Sequence, residues 1–134
     1  MFAPSDEGMG VADVLVVDDD PDLRVMLELH LRSQGHEVRL ASSAEEALLA
    51  SAQRRADLLL LDVRLEGRRG DELIRMLDRG LGRPRVLCLL SGVAEQELVD
   101  LAAIHGVAHL RKPVDPDALR RVLVAAERPR VSAR

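Results

Sequence analysis

The chain has 134 residues, 47% hydrophobic and 31% charged, with a formal net charge of −4, which suits one globular domain that buries roughly two-thirds of its unfolded surface. The acid excess argues against non-specific binding to nucleic acid or anionic membrane, and the longest apolar runs are far too short to span a bilayer. A single cysteine, Cys88, excludes a disulfide framework within one chain and fits a cytoplasmic setting, and with Phe2 the only aromatic the core has to be aliphatic.

Residues 1–10 read as a flexible tail; MFAPSDEGMG has neither the basic start nor the apolar centre of a secretory signal. A first strand is expected from Ala12 to Val17, running directly into Asp18, Asp19 and Asp20. Asp20-Pro21-Asp22 then starts a helix: Asp20 caps it, Pro21 takes the first helical position and Asp22 faces the positive helix end. Asp20 therefore reads as a cap and not a ligand. Leu23, Met26, Leu27, His30 and Leu31 form the helix's apolar stripe, and Gly35 stops it. EVRLA is a second strand, and Ser43 with Glu46 makes a capping box for a helix that buries Ala44, Ala47 and Leu48. Leu58 to Asp62 is the third strand. The loop VRLEGRRG leads to a third helix through Leu73, Ile74 and Leu77. Val86 to Leu90 is the fourth strand, with Cys88 a small buried hydrophobe inside it and Ser91 at its end. Glu95 to His105 is the fourth helix, ended by Gly106; Val107 to Leu110 is a short fifth strand leading to Lys112. Asp115-Pro116-Asp117 repeats the helix start, and the last helix carries Leu119, Val122 and Leu123. The domain thus spans 11–127, with 128–134 a tail or linker start.

Short Val/Leu runs alternating with helical patterns imply a buried parallel sheet. Five βα units with right-handed crossovers give an α/β, doubly wound (βα)5 three-layer sandwich, with the flavodoxin-like strand order 2-1-3-4-5. Ligands in such folds bind at the strands' carboxyl ends. Neighbouring strands lie about 4.8 Å apart, so Asp18, Asp19, Asp62, Ser91 and Lys112 are expected to share one compact arc. Clustered carboxylates need a cation, and a lysine with a hydroxyl suits a phosphoryl group. The arc reads as a magnesium-dependent phosphate-handling site.

With LVVDD, LLLLD followed by Gly70, LLSG and RKP in order, residues 12–127 resemble the receiver domain of two-component response regulators. The resemblance implies that Asp62 is the phosphoacceptor and that Asp18 and Asp19 hold Mg2+, with the backbone carbonyl of Arg64 a further ligand. It also implies that Ser91 is the switch hydroxyl, that Lys112 binds phosphate and that its bond to Pro113 is cis. His109 stands where the family has a switch aromatic, Glu66 where many relatives have proline, and Val114 where a larger apolar residue often follows the Lys-Pro. The implied function is a phosphorylation-controlled signalling switch and not a turnover enzyme. Its donor would be a sensor histidine kinase or phosphotransfer protein, and its output face the fourth helix, fifth strand and fifth helix. No direct nucleic-acid or membrane partner is expected, and the state is monomer or weak dimer, standing alone or cut from a longer chain. The alternatives are a degenerate receiver that only docks and an aspartyl-phosphate phosphatase. The latter is disfavoured because Arg64, not an acid, stands two residues beyond Asp62.

Overall fold

The computed structural model describes residues 10–65, 68–92 and 94–129. Its main sheet holds five parallel strands: β1 (Asp13–Val17), β2 (Glu37–Ala41), β3 (Leu58–Asp62), β6 (Val86–Ser91) and β7 (Ala108–Arg111), in the order β2-β1-β3-β6-β7. Renumbered within this sheet, that is the expected 2-1-3-4-5. β1 and β3 are buried at all five positions, as near-continuous Val/Leu runs require when helices cover both faces. On one face Leu15, Val17, Leu59, Leu61 and Leu89 meet α2 (Ala44–Gln53), α3 (Gly70–Met76) and α4 (Glu95–His105). On the other, Val14, Val16, Leu58, Leu60 and Leu90 meet α1 (Pro21–Ser33) and α5 (Pro116–Ala126). Cys88 packs on this second face, and burial pushes its thiol pKa up to about 12, so it behaves as a hydrophobe.

The helix starts follow local chemistry. Asp20 accepts from the N–H groups of Asp22 and Leu23, with Pro21 in the first turn; Asp115 accepts from Ala118 N–H. Ser43 caps α2, but Glu46 turns to Ser42, whose N–H and hydroxyl reach its carboxylate at 2.6 and 2.8 Å. The reciprocal half of the expected capping box is thus displaced by one residue. Gly106 ends α4 at φ 65°, a left-handed conformation that favours glycine.

Several local expectations differ. Met26 is 55% exposed, because Leu23, Leu27 and Leu31 already fill the core-facing side of α1. The stretch after Asp62 is not all loop: β4 (Arg64–Leu65) and β5 (Arg68–Arg69) pair antiparallel, and Leu65 is buried in the core; Glu66 lies outside the described residues. α3 continues as a π-helical turn over Leu77–Leu81 and ends at Gly82 with φ 87°. β7 begins at Ala108, one residue later than expected.

Residues 127 and 128 are tied to the start of β1. Val11 and Arg128 exchange two backbone hydrogen bonds of 2.9 and 2.8 Å. A Cβ at Gly10 would lie 2.5 Å from Glu127 Cβ and 2.7 Å from Arg128 O. Gly10→Ala is therefore expected to displace this bridge and cost about 1–3 kcal/mol, the usual range for overpacking, measured as a lowered thermal midpoint. An unchanged midpoint would mean that the close approach does not persist in solution.

Candidate functional site

The parallel sheet brings the ends of β1, β3, β6 and β7 to one edge. Asp18 follows β1 and is wholly buried; Asp62 ends β3 at 6% exposure, and Asp19 is exposed. One carboxylate oxygen from each lies within 4.8 Å of the others. Asp18 Oδ1 accepts from Asp20 N–H at 2.9 Å, and Asp62 Oδ1 accepts from Arg64 N–H at 3.0 Å. The remaining oxygens face Lys112 Nζ, which lies 2.7 Å from Asp18 Oδ2 and 3.1 Å from Asp62 Oδ2. The approach to Asp18 Oδ2 is an ion pair without the angle of a directed hydrogen bond, so this buried oxygen lacks one. The bond from Lys112 to Pro113 is cis.

These contacts account for the ionisation of the acceptor. The pKa of Asp62 is raised, chiefly by burial; the Arg64 N–H opposes this, the charge of Asp18 adds to it and Lys112 opposes it. For Lys112, burial pulls the pKa down, but its close approach to the Asp18 and Asp62 carboxylates outweighs that and raises it.

Two of the three carboxylates share Lys112, and these four side chains together carry a formal excess of two negative charges (three minus one). All its donors are hard oxygens, and one buried oxygen lacks a directed donor. That set fits a divalent cation such as Mg2+. Asp20, as expected, spends its side chain on the α1 cap.

Ser91 is 1% exposed at the end of β6 and, with Asp62, Gly92 and Lys112, lines an open cleft beside the cluster. Arg64 and Glu97 line its outer wall, and their side chains approach to 3.6 Å while staying largely exposed. His109 is exposed on β7 and pairs in register with Leu89, whereas Ser91 pairs with Arg111. It lines a separate groove with Ala118 and Val122, away from the cleft.

The sequence reading missed a second group of buried acids, at the opposite edge of the sheet. Asp13 and Asp57 are 3% and 6% exposed. Asp13 pairs with Arg39 and Arg54, and Asp57 with Arg128. The available signal was the Ala-Asp pair before each apolar run, Ala12-Asp13 and Ala56-Asp57.

The profile of the family described as "Response regulator receiver domain" matches residues 14–124. A protein of Leptolyngbya boryana, described as an uncharacterized 14.6 kDa protein, is 38% identical over 115 residues, covering 83% of this chain and 86% of its own. The DNA-binding response regulator MtrA of Mycolicibacterium smegmatis is 40% identical over 74 residues, 55% of this chain and 32% of MtrA. The crystal structure of a putative response regulator from Chloroflexus aurantiacus superposes with a TM-score of 0.75 at 33% identity, covering 86% of this chain and 97% of that one. The chain belongs to the receiver domain family of two-component response regulators. It spans most of the Leptolyngbya protein but only about a third of MtrA.

The raised pKa of Asp62 sets a sign for stability. A carboxyl whose folded pKa lies above its unfolded value stabilises the fold at low pH, and that contribution is lost as pH rises through the folded pKa. Without metal at neutral pH, charged Asp62 is thus a net burden. Asp62→Asn is expected to raise the melting temperature in EDTA at pH 7.5 by on the order of 3 °C. The advantage should shrink as pH is lowered through the titration of Asp62. Calorimetry of both proteins checks this, and a lower midpoint for the variant at pH 7.5 contradicts it.

Proposed function

We propose that this receiver domain is a phosphorylation-controlled switch in which Asp62 takes a phosphoryl group from the phosphohistidine of a sensor kinase or phosphotransfer protein. The observation that carries the reading is Lys112 paired at once with Asp18 and Asp62, inside a carboxylate cluster that opens on a cleft bearing a hydroxyl. An Asp62 oxygen attacks phosphorus, the P–N bond breaks, and the imidazole leaves with its electron pair and takes up a proton; an acyl phosphate forms. Phosphoryl transfer asks for little covalent work from the protein, so position and charge neutralisation dominate. Asp18, Asp19, Asp62 and the Arg64 carbonyl would hold Mg2+, which when bound offsets the negative charge of carboxylates and phosphoryl oxygens together. Lys112 supplies a compact cation to the transferred group, and the Ser91 hydroxyl donates a hydrogen bond to one of its oxygens. The protein is modified stoichiometrically and does not turn over an external substrate.

Partner surfaces flank the cleft. Val25, Met26 and Leu29 form an exposed apolar strip on α1, which begins beside the acidic turn, and this suits a helical donor protein. Val99 and Ile104 on α4 and Val124 on α5 are exposed apolar residues of the α4–β7–α5 face, the proposed output surface for a downstream protein. Among the described residues no helix is long and apolar enough to cross a membrane, and we place the domain in the cytoplasm with its donor.

Treatment with acetyl phosphate and Mg2+ should add one phosphoryl group, read by intact mass, and Asp62→Ala should abolish it. Asp19→Asn should weaken Mg2+ binding, whereas Asp20→Asn should cost only about 0.5–2 kcal/mol of helix-cap stability. Labelling that survives in Asp62→Ala would defeat the assignment, and a parent that takes up no phosphate would point to a docking module.

Arg64 and Glu97 line the outer wall of the cleft, and we infer that their side chains shield the acyl phosphate from water. An exposed pair like this is worth only about 0–1 kcal/mol, so its effect would be steric. Arg64→Ser and Glu97→Gln together should quicken loss of phosphate several-fold, followed by the decay of the phosphorylated mass. An unchanged decay rate rules the shield out.

A further inference from the structure

Arg24, on α1, lies outside the acidic arc, yet its Nη1 donates to the main-chain carbonyl of Asp18 at 2.6 Å. On the other side of the same residue, Asp18 N–H donates to Ala41 O at 3.1 Å. The carbonyl of Asp18 belongs to the peptide plane that joins it to Asp19, and a peptide plane turns as a unit. Holding that oxygen therefore fixes the direction in which the chain enters Asp19, and with it where the two neighbouring carboxylates leave the backbone. We propose that Arg24 is a positioning residue for the divalent-cation site, acting through the Asp18–Asp19 peptide and touching neither the cation nor the phosphoryl group. The inference rests on the reading that Asp18, Asp19 and Asp62 hold Mg2+.

A cation near an acidic site could instead weaken metal binding by repulsion. The geometry favours the positioning role, because Nη1 of Arg24 is spent on the Asp18 main-chain carbonyl and not on a carboxylate. The charge of Arg24 is felt at Glu46, whose pKa is lowered first by the Ser42 N–H, then by the Ser42 hydroxyl, and last by Arg24. Glu46 lies at the start of α2, beyond the end of β2. Arg24 thus reaches the acidic turn while lying near enough to the β2–α2 junction for its charge to be felt at Glu46.

The competing explanation is that Arg24 merely satisfies the carbonyl of a buried residue and supports the fold. Calorimetric titration with Mg2+ alone, beside melting curves in EDTA, separates the two for the parent, Arg24→Ala and Arg24→Gln. Removing groups that orient ligands costs about 10-fold or more in metal affinity, so the Mg2+ Kd should rise about tenfold in Arg24→Ala. In Arg24→Gln, which keeps a shorter donor, a smaller rise of threefold or more is expected. Phosphorylation by acetyl phosphate should slow at low Mg2+ and return to about the parental rate at saturating Mg2+. Parental Kd in both variants, whatever their melting temperatures, overturns the proposal; should Arg24→Ala not fold, Arg24→Gln decides on the same criterion. A parent that binds no Mg2+ overturns the metal reading itself, and that result is visible before any variant is made.

Discussion

Acidic side chains at the ends of adjacent parallel strands repel one another, and a sheet edge that gathers three of them needs positive charge to stay folded. Lys112 meets part of that need. It arrives from the far side of the sheet, across β6, and its ammonium bridges Asp18 and Asp62. Its position depends on β7 lying last in the strand order, which in turn depends on α4 and α5 covering opposite faces. One lysine cannot balance three carboxylates, and the residual charge makes this edge a receptor for a divalent cation and a phosphoryl group. The raised pKa of Asp62 reflects first its burial and then the charge of Asp18 beside it, against the opposing Arg64 N–H and Lys112.

The two edges of the sheet treat buried acids differently. At the amino edge each acid has committed arginine partners: Arg39 and Arg54 lie 3.1 and 2.6 Å from Asp13, and Arg128 lies 2.8 Å from Asp57. Those guanidinium groups also donate to main-chain carbonyls, as Arg39 does to Ala50 and Arg54. Such acids tie strand starts to the chain's later segments and have little capacity left for a ligand. At the carboxyl edge Asp19 is exposed, and Asp18 and Asp62 share a single lysine in place of arginines. The same residue type therefore cements one pole and leaves the other receptive, and the number of arginines decides which.

Local rules account for what could be read directly. Asp-Pro-Asp twice started a helix where a cap and a first-turn proline demanded one. The Val/Leu runs became fully buried strands, and the carboxylates that follow them fell at one edge because parallel strands share direction. Where the reading missed, a tertiary competitor had won. Met26 satisfies the helical period, but the sheet offers α1 only a strip wide enough for Leu23, Leu27 and Leu31. His109 is a different case: it stands in the aromatic's place in the motif and is exposed on β7, with Leu110 on the core-facing side. Leu65 draws its segment into the core, so the stretch expected as a loop pairs as a hairpin.

Sequence by itself determined the βα alternation, the buried strands, the helix starts and the residues of the acidic arc, because each follows from periodicity or from chemistry within a few neighbouring positions. Tertiary structure decided how those residues are shared. That Lys112 lies against both Asp18 and Asp62, that Arg24 grips the Asp18 carbonyl, and that Arg128 closes on Asp57 are contacts between segments brought together by strand order or helix packing. A side chain with several donors can meet many acceptors along a chain. Only the packed sheet and its covering helices leave it one set within reach.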